Sequence, residues 1–467
     1  MKKNMTAEQK FDMMTQEPVN RLILSLALPT IISMLITSIY NMADAYFVSK
    51  ISTSASGAVG IAFSLMAVIQ AIGFTFGMGS GNYISRLLGQ KKNKYASQVA
   101  ATGFFSALIL GTILSLLGLL FLEPLTFALG ATDTIAPYAK DYIRYILIGV
   151  PYMTSAFVLN NILRFQGSAF YAMLGIGTGA LLNIVLDPIL IFRLGMGTGG
   201  AALATIISQF VSFCILFLNS GINGTIKIRF RNFSPKWKIY REILTGGLPS
   251  FYRQSLASIS MIAMNFSAGP YGDAAIAAMS IVNRVFNFAV SAMIGFGQGF
   301  QPVCGFNYGA KMYDRVLDAF WFCVKISAVA LLTMSILLYG FSSQIISAFR
   351  KEDLEVIAIG TLALKLQSIV LPLSAWIIMT NMLLQTIGRG MQASVVAVSR
   401  QGLFFLPAVL ILPHIFGLLG VQMSQTVSDI LSFLLTIPMA ISVLRQLGSP
   451  QKKDLTGDAE DVRGDIL

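Results

Sequence analysis

The sequence predicts an all-α membrane protein whose twelve transmembrane helices form two pseudo-symmetric six-helix bundles. Three observations favour this fold class. The 467 residues are 55% hydrophobic and only 12% charged, with a mean hydropathy of +0.72. That balance is typical of polytopic helical membrane proteins and not of soluble domains. Long apolar runs recur twelve times along the chain, and its two halves resemble each other at a fixed spacing.

Each apolar run is long enough to cross a bilayer, which takes about 20 residues of helix. The predicted spans are 22–48, 55–84, 95–122, 137–163, 168–193, 200–220, 240–268, 274–304, 313–341, 354–386, 391–415 and 420–447. They divide the chain into an N-terminal segment (1–18), a first lobe (19–220), a basic linker (221–241), a second lobe (242–447) and a polar tail (448–467).

The loop charges predict how the helices are oriented. Basic residues concentrate in the loops after the second and sixth runs: Arg86, Lys91, Lys92, Lys94, Lys227, Arg229, Arg231, Lys236, Lys238 and Arg241. Because such loops stay on the cytoplasmic side, both termini are expected in the cytoplasm. The N-terminal segment is polar, so we expect no cleaved signal peptide. The net charge of +12 therefore reflects topology and does not indicate a nucleic-acid partner.

The two lobes read as an internal duplication with a spacing of 220 residues. Leu28-Pro29 recurs as Leu248-Pro249, and Gly200 recurs as Gly420. Similarly, Gly77-Met78-Gly79 matches Gly297-Gln298-Gly299. Two six-helix repeats that both begin in the cytoplasm are a parallel duplication, an arrangement that several secondary transporters use. The substrate is then expected between the lobes.

Two acidic residues lie within apolar runs of the first lobe. Asp44 is near the end of the first run and Asp187 near the end of the fifth. An aspartate at the bilayer centre costs about 2.5–3.5 kcal/mol to insert, so such a residue is a functional hypothesis by default. Two carboxylates in a dry site share a proton or hold a cation. A hydrogen-bonded pair that merely joins two helices is the structural alternative.

Neighbouring polar residues would complete this site. Tyr40 and Asn183 each precede an acid by one helical turn, and Thr205 in the sixth run falls at a similar depth. Hydroxyl and amide groups can hydrogen-bond a protonated acid or ligate an ion. The coupling ion is therefore expected to be a proton, with Na⁺ as the alternative at Asp44, Asn183, Asp187 and Thr205. Three cysteines and one histidine indicate neither a disulfide framework nor a metal centre, and no cofactor is expected.

The second lobe is basic within its predicted helices, where Asp429 is the deeply placed acid. The intramembrane cations are Arg253, Arg284, Lys325, Lys365 and Arg400. Arg284 and Arg400 are expected to pair with Asp429 or with backbone carbonyls, and the lysines to extend toward the interface. Candidate substrate-cavity residues are Met34, Met66, Met153, Asn160, Gln209 and Arg284, since methionines adapt to varied ligands. Core or lipid-facing positions are the alternative for the methionines, as is packing for Asn160. Pro29 is expected to kink the first helix.

Over residues 15–447 the chain resembles the multidrug and toxic compound extrusion (MATE) transporters. The resemblance rests on Tyr40-x3-Asp44, Asn183-x3-Asp187 and the stretches Leu163–Gly167 and Gly197–Thr205. The first-lobe pattern is similar to the ion site of DinF-like members, and the nearest likeness is to bacterial exporters of the MepA type. The NorM branch adds acids on helices 7 and 10. Residues 249–268 and 356–386 hold none, so a second-lobe cation site is not implied.

The resemblance implies a secondary active exporter that works as a monomer in a bacterial cytoplasmic membrane. It would release amphipathic, often cationic drugs by alternating access, in exchange for protons or Na⁺. A related flippase of lipid-linked saccharides or other anionic lipids is the alternative, kept open by the second-lobe arginines. An enzyme is disfavoured because the sequence has no histidine cluster, nucleophile elbow or P-loop.

Overall fold

A computed structural model of the chain describes residues 5–222, 224–350 and 353–449. These residues are almost entirely helical. In the first half the helices are α1 (Ala7–Gln16), α2 (Val19–Ser49), α3 (Thr53–Gly89), α4 (Asn93–Leu120), α5 (Leu122–Ala128), α6 (Ala136–Phe165), α7 (Ala169–Pro188) and α8 (Gly197–Ile222). In the second half they are α9 (Trp237–Ala268), α10 (Asp273–Gly309), α11 (Tyr313–Gly340), α12 (Ser342–Phe349), α13 (Leu354–Val370), α14 (Leu373–Thr386), α15 (Gly390–Val398), α16 (Phe405–Phe416) and α17 (Leu418–Gly448).

Most of these helices are long and apolar enough to cross a membrane. Ten qualify by length and composition within the described residues, and the bent pair α13 and α14 makes an eleventh. The remaining predicted span, the seventh, is α9, which has the length but is interrupted by polar residues such as Arg253 and Gln254. The chain is therefore a multi-pass helical membrane protein. Most of the tail 448–467 lies outside the described residues.

Three predicted spans are less regular than their apolar runs suggest. The run 354–386 is not one helix, because α13 and α14 meet at a 55° bend beside Pro372, whose nitrogen cannot donate a helix hydrogen bond. The fifth span passes from α7 into a π-helix at Ile189–Arg193, and the eleventh contains a π-helix at Ser399–Leu403 between α15 and α16. At the predicted kink, α2 runs through Pro29 as one continuous α-helix.

The two lobes meet through close, pseudo-symmetric backbone contacts. A Cβ on Gly89 would lie 2.1 Å from the Phe306 carbonyl oxygen, and a Cβ on Gly309 would lie 2.1 Å from that of Arg86. The two contacts are related by the 220-residue repeat. Glycine is required at both positions because any side chain would push the lobes apart. Equivalent close contacts join α3 to α9 and α2 to α10 at Gly79, Gly247, Gly295 and Gly299.

Hydrogen bonds between the lobes reinforce the same region. Pairs that cross it are Thr30–Gly295 (2.7 Å), Arg86–Glu242 (2.9 Å), Thr386–Asn82 (2.9 Å), Gln254–Gln70 (2.9 Å) and Arg164–Gln298. We call these contacts and the glycine contacts the seam. We call the side of the molecule that carries α1 and the linker the linker face. The seam occupies the half of the helices nearest to this face. In the described part of the chain, the Gln254–Gln70 bond is the seam contact furthest from that face. Within the described residues, these hydrogen bonds and glycine contacts lie toward the linker face, and we call the space between the lobes at the opposite face the cleft.

Helix α1 covers the linker face and contacts both lobes. The Lys10 ammonium donates a hydrogen bond to Ser168 Oγ in the first lobe (2.7 Å). On the other side, the Asn307 amide of the second lobe donates to the Met14 carbonyl oxygen (3.0 Å). A Thr6 capping box begins the helix. The polar N-terminal segment is therefore partly a helix that bridges the closed end of the cleft.

Candidate functional site

The acidic and polar residues predicted for the first lobe come together where α2, α7 and α8 meet. Asp187 is fully buried and Asn183 is nearly so. The Asn183 amide nitrogen donates to Asp187 Oδ1 (3.3 Å) and to Thr205 Oγ1 (3.4 Å). Asp44 lies close enough to Asp187 for the two carboxyl groups to interact electrostatically. The residues that the sequence places at similar depth thus form one contiguous cluster.

Two tyrosines complete this cluster. The Tyr40 hydroxyl lies beside the side chains of Thr205 and Gln209 and within electrostatic range of both acids. Tyr142 of α6 occupies the same site, with its hydroxyl beside Thr205, and is only 3% exposed. Sequence reasoning missed Tyr142. The depth of this residue along α6 could have identified it, because it lies about as far as Asp44 from the face opposite the linker face.

Several oxygen atoms of the cluster have no protein partner. Asp44 Oδ1, Asp187 Oδ2 and Asn183 Oδ1 are buried and accept no hydrogen bond within the described residues. The ion pairs of that part of the chain all lie elsewhere, at Arg86–Glu242, Lys140–Glu123 and Arg400–Asp429. Burial of unpaired acceptors is costly, so these oxygens are suited to a proton or a small cation. We call the set Tyr40, Asp44, Tyr142, Asn183, Asp187, Thr205 and Gln209 the acid cluster.

The local backbone explains how the end of α7 that carries Asp187 comes to lie beside Thr205 on α8. Asp187 directly precedes Pro188 and the π-helix, a helical form often found at functional sites. The chain then turns through Gly195 and Gly197, whose φ angles of +67° and +55° suit glycine. Gly200 packs against the Leu190 backbone, where a Cβ would be 2.8 Å from the carbonyl oxygen. The glycine-rich stretch thus makes a tight hairpin that sets α8 beside α7.

The tentative cavity residues are distributed differently from the acid cluster. Met153 is 2% exposed and belongs to the first-lobe core. Because helix packing encloses it, it does not line the cleft. Met66 packs on the edge of the same core, and Met34 is half-buried on α2. Gln209 is half-buried beside Tyr40.

Asn160 acts in helix packing. Its amide donates to the Ala172 carbonyl oxygen (3.1 Å), and Asn381 in the second lobe makes the equivalent bond to Ala393 (2.7 Å). A contact repeated in both lobes over the same sequence separation joins adjacent spans of each bundle. We therefore assign Asn160 to packing, the alternative that the sequence leaves open, and not to the cavity.

The second-lobe cations separate into paired and exposed groups. Arg400 Nε donates to Asp429 Oδ1 (2.8 Å), as the sequence predicts. Arg284 is exposed and forms no ion pair with Asp429, so its predicted partnership is wrong; Arg400 and Gln425 occupy that carboxylate. Lys325 is exposed on α11. The Lys365 ammonium lies over the Tyr339 ring, 5.4 Å from its centroid.

Comparisons with known proteins agree with this architecture. The profile of the MatE family matches residues 29–189 and 249–410, one segment in each lobe. The multidrug export protein MepA of Staphylococcus haemolyticus is 29% identical over 427 residues, covering 90% of this chain and 93% of that protein. MepA of Staphylococcus aureus strain MSSA476 is 27% identical over 418 residues, covering 89% and 92%.

Solved structures give the same result. A crystal structure of MATE in complex with MaL6 superimposes with a TM-score of 0.88 at 27% identity, covering 94% of this chain and 98% of that one. An outward-facing multidrug resistance MATE family transporter of the MOP superfamily also gives 0.88 at 27% identity, covering 96% and 99%. These relatives are transporters and not enzymes. Since the matched segments make up more than half of its length, the chain belongs to the MatE family of MATE multidrug transporters.

Proposed function

We propose that this chain is a proton-coupled exporter of amphipathic, often cationic compounds and that the acid cluster is its coupling site. The observation that carries the proposal is a pair of carboxyl groups, Asp44 and Asp187, each with a buried and unpartnered oxygen and neither with a basic partner in the described residues. A permanent counter-ion would fix their charge. Without one, an exchangeable proton or cation must balance it, which is what coupling requires.

We infer the direction of exchange from the position of the seam. The linker face carries the basic loops, so by the positive-inside rule it faces the cytoplasm of a bacterial cell, with both termini on that side. The described state then opens outward. In this state an external proton reaches the acid cluster, the cleft releases its drug, and the lobes rock to open the seam. The proton leaves inward and a new drug enters. One chain contains both lobes and the cleft, so a monomer suffices.

Two features support amphipathic and cationic substrates. The relatives include multidrug export proteins. In addition, the carboxylates of the acid cluster would attract a cation when they are charged and release it when they are protonated. Sodium is the alternative coupling ion, because Asp44, Asn183, Asp187 and Thr205 supply the oxygen ligands that a hard cation prefers. The comparisons do not favour the flippase alternative.

The test is export of a fluorescent organic cation by purified chain in proteoliposomes. A pH gradient and a Na⁺ gradient are applied separately to the parent and to Asp44→Asn. We expect the pH gradient to drive export in the parent and Asp44→Asn to abolish that response. Glu123→Gln is the matched control, because it removes a carboxylate from an exposed ion pair (with Lys140, 2.5 Å) outside the cluster. Export driven only by the Na⁺ gradient would identify Na⁺, and not the proton, as the coupling ion. Parent-like export by Asp44→Asn would overturn the coupling site.

A further inference from the structure

A recess of about 310 Å³ lies on the linker face of the first lobe, between the last turn of α8 and the linker. At this volume it is at the lower end of the range for ligand pockets, about 300–1,000 Å³, which suits a small polar group better than a whole drug. Two cations and a hydroxyl line it, and none of its lining residues is acidic. These residues are Phe217, Ser220, Gly221, Lys227, Ile228 and Arg229.

The fold holds the linker in place at this recess through one buried side chain. Gln166 Oε1 accepts hydrogen bonds from the Thr225 backbone nitrogen (2.8 Å), the Thr225 hydroxyl (3.2 Å) and the Ile226 backbone nitrogen (3.2 Å). Gly224 packs on the last turn of α8, where a Cβ would lie 2.3 Å from the Ser220 carbonyl oxygen. The start of the linker is therefore fixed beside the end of α8, and the recess is a built feature of the first lobe.

The Ser220 hydroxyl in the wall of the recess is not used by the protein. Ser220 is 3% exposed, and its Oγ forms no hydrogen bond within the described residues. Other serines of the apolar helices, such as Ser33 and Ser424, donate to the carbonyl oxygen four residues earlier. A buried hydroxyl without a partner costs free energy. An acceptor atom bound in the recess would supply the missing hydrogen bond.

Lys227 and Arg229 add positive charge to the same recess. Both residues are exposed, and neither forms an ion pair within the described residues. The Lys227 carbonyl oxygen accepts a hydrogen bond from the Asn232 amide (3.2 Å), which orders the linker at this point. An ammonium, a guanidinium and a hydroxyl around one small recess are the donors that a phosphate group accepts bonds from. Because no acid lines the recess, the two cations favour a ligand with a net negative charge.

The surroundings of the recess are those of a membrane interface. Helix α8 has 26 residues and is about 39 Å long, whereas the hydrocarbon core is about 30 Å thick, so the ends of α8 reach the headgroup region. Phe217 and Leu218 in its last turns are 46% and 61% exposed, and they present an apolar surface toward lipid. The linker adds Phe230 and Trp237, which are 74% and 73% exposed. Aromatic residues with this exposure are typical of the membrane–water interface.

We propose that the recess binds the headgroup phosphate of an anionic phospholipid in the leaflet on the linker face. Ser220, Lys227 and Arg229 would bind the phosphate, and the acyl chains would lie along Phe217 and Leu218. A basic pocket beside a membrane helix is a general means of binding such headgroups. Free phosphate would leave the apolar surface unused. The bound lipid contacts both α8 and the linker, so it fastens the segment that connects the lobes. This inference depends neither on the exported compound nor on the coupling ion.

The test is native mass spectrometry of the full chain released from neutral detergent, which counts individually bound lipids. Phosphatidylglycerol and phosphatidylcholine with identical acyl chains are titrated, and the affinities of the first bound lipid are compared. We expect the parent to prefer phosphatidylglycerol by at least about tenfold, since each basic residue near a membrane surface contributes about fivefold. Lys227→Gln with Arg229→Gln should remove this preference, whereas Lys227→Arg with Arg229→Lys should keep most of it. Ser220→Ala should weaken phosphatidylglycerol binding by about fivefold and leave the unfolding temperature unchanged, because its hydroxyl has no protein partner to lose.

The matched control is Lys92→Gln with Lys94→Gln, which removes two cations from another recess on the linker face, of about 450 Å³ at the start of α4. No buried, unpartnered hydroxyl of the described residues lines that recess, so the control should keep the full preference. An equal loss in the control would show that the basic loops attract anionic lipids in general and would overturn the site. Displacement of phosphatidylglycerol by equimolar inorganic phosphate would overturn the assignment to a lipid, and retention of the lipid would support it. Equal binding of the two lipids by the parent, or a preference unchanged in Lys227→Gln with Arg229→Gln, would overturn the proposal.

Discussion

Asp187 in the first lobe and Asp429 in the second are both completely buried, yet their surroundings differ. Asp429 accepts hydrogen bonds from Arg400 Nε (2.8 Å), Arg400 Nη2 (3.2 Å) and Gln425 Nε2 (2.9 Å). Asp187 accepts one long bond from Asn183 (3.3 Å), and its second oxygen is unpartnered in the described part of the chain. One lobe thus holds a neutralised acid and the other an acid that lacks a fixed counter-charge.

The internal repeat makes this contrast informative. The spacing of 220 residues that relates Gly200 to Gly420 also relates Thr205 to Gln425 and Gln209 to Asp429. Equivalent surfaces of the two helices therefore face the two sites, with α8 at the acid cluster and α17 at the Arg400–Asp429 pair. In the second lobe the cation is a side chain and cannot leave. The first lobe has no such fixed cation in its described residues, and under the proposed function an exchangeable ion takes that place.

The largest expected effect follows from breaking the second-lobe pair. Arg400→Met leaves Asp429 buried and unpaired, which should destabilise the chain by about 3–5 kcal/mol. Thermal unfolding of the purified variant in detergent measures this loss. Asp187→Asn removes a charge that has no counter-ion, so it should unfold near the parental temperature while abolishing gradient-driven export. Equal destabilisation by both variants would contradict the distinction between the lobes.

A double variant separates the lost pair from the orphaned charge. Arg400→Met with Asp429→Leu replaces the ion pair by apolar side chains, a change that is often neutral or stabilising. It should unfold at a higher temperature than Arg400→Met alone. If the double variant is no more stable than the single one, the cost lies in lost packing around Arg400 and not in the unpaired acid.

A fixed cation introduced into the first lobe should neutralise its acids, as Arg400 neutralises Asp429 in the second lobe. Gln209→Lys places an ammonium within the acid cluster, beside Tyr40, at the position equivalent to Asp429. We expect the chain to fold and bind the cationic probe weakly, with gradient-driven export falling by at least about tenfold because the acids gain a permanent partner. Gln209→Met is the control of similar size without charge and should lose less gradient-driven export than Gln209→Lys. Normal coupling in Gln209→Lys would exclude neutralisation as the reason the lobes differ.

How far the sequence predicts these sites depends on the kind of signal. Asp44 and Asp187 stand out because a charge in an apolar run is rare, and helix direction gives their depth. Tyr142 is hidden because tyrosine is common in membrane helices. The burial of Arg164 and the π-helices depend on packing between distant segments, which periodicity does not encode. The glycine repeat indicates close contacts, but it does not give the conformation in which those contacts form.

If the two lobes differ in this way, they should also be separate bodies joined at the seam. Gly79→Ala tests this, because its Cβ would lie 1.9 Å from the Ile243 carbonyl oxygen. The backbones cannot approach, so the closed seam should lose about 1–3 kcal/mol and the population should move toward the state open at the linker face. Cross-linking or spin-label distances between the lobes measure the shift. Gly60→Ala on the same helix meets nothing within 4 Å and is the matched control. An unchanged distance distribution in Gly79→Ala would show that the seam is not the joint.

The smallest expected effect concerns α1, which contacts the first lobe through a titratable side chain and the second through the Met14 carbonyl group. Burial lowers the pKa of Lys10 to about 8, whereas an undocked helix would have the ordinary value near 10.4. Between these values the undocked state binds more protons, so docking should strengthen as the pH rises from about 8 to about 10. Hydrogen exchange of the α1 amides, corrected for intrinsic rates, measures docking. Lys10→Met should remove the pH dependence, while Glu8→Gln on the exposed side of α1 should keep it. Protection that falls as the pH rises would mean that the docked helix retains the Lys10 proton, with charged Lys10 then joining α1 to the first lobe.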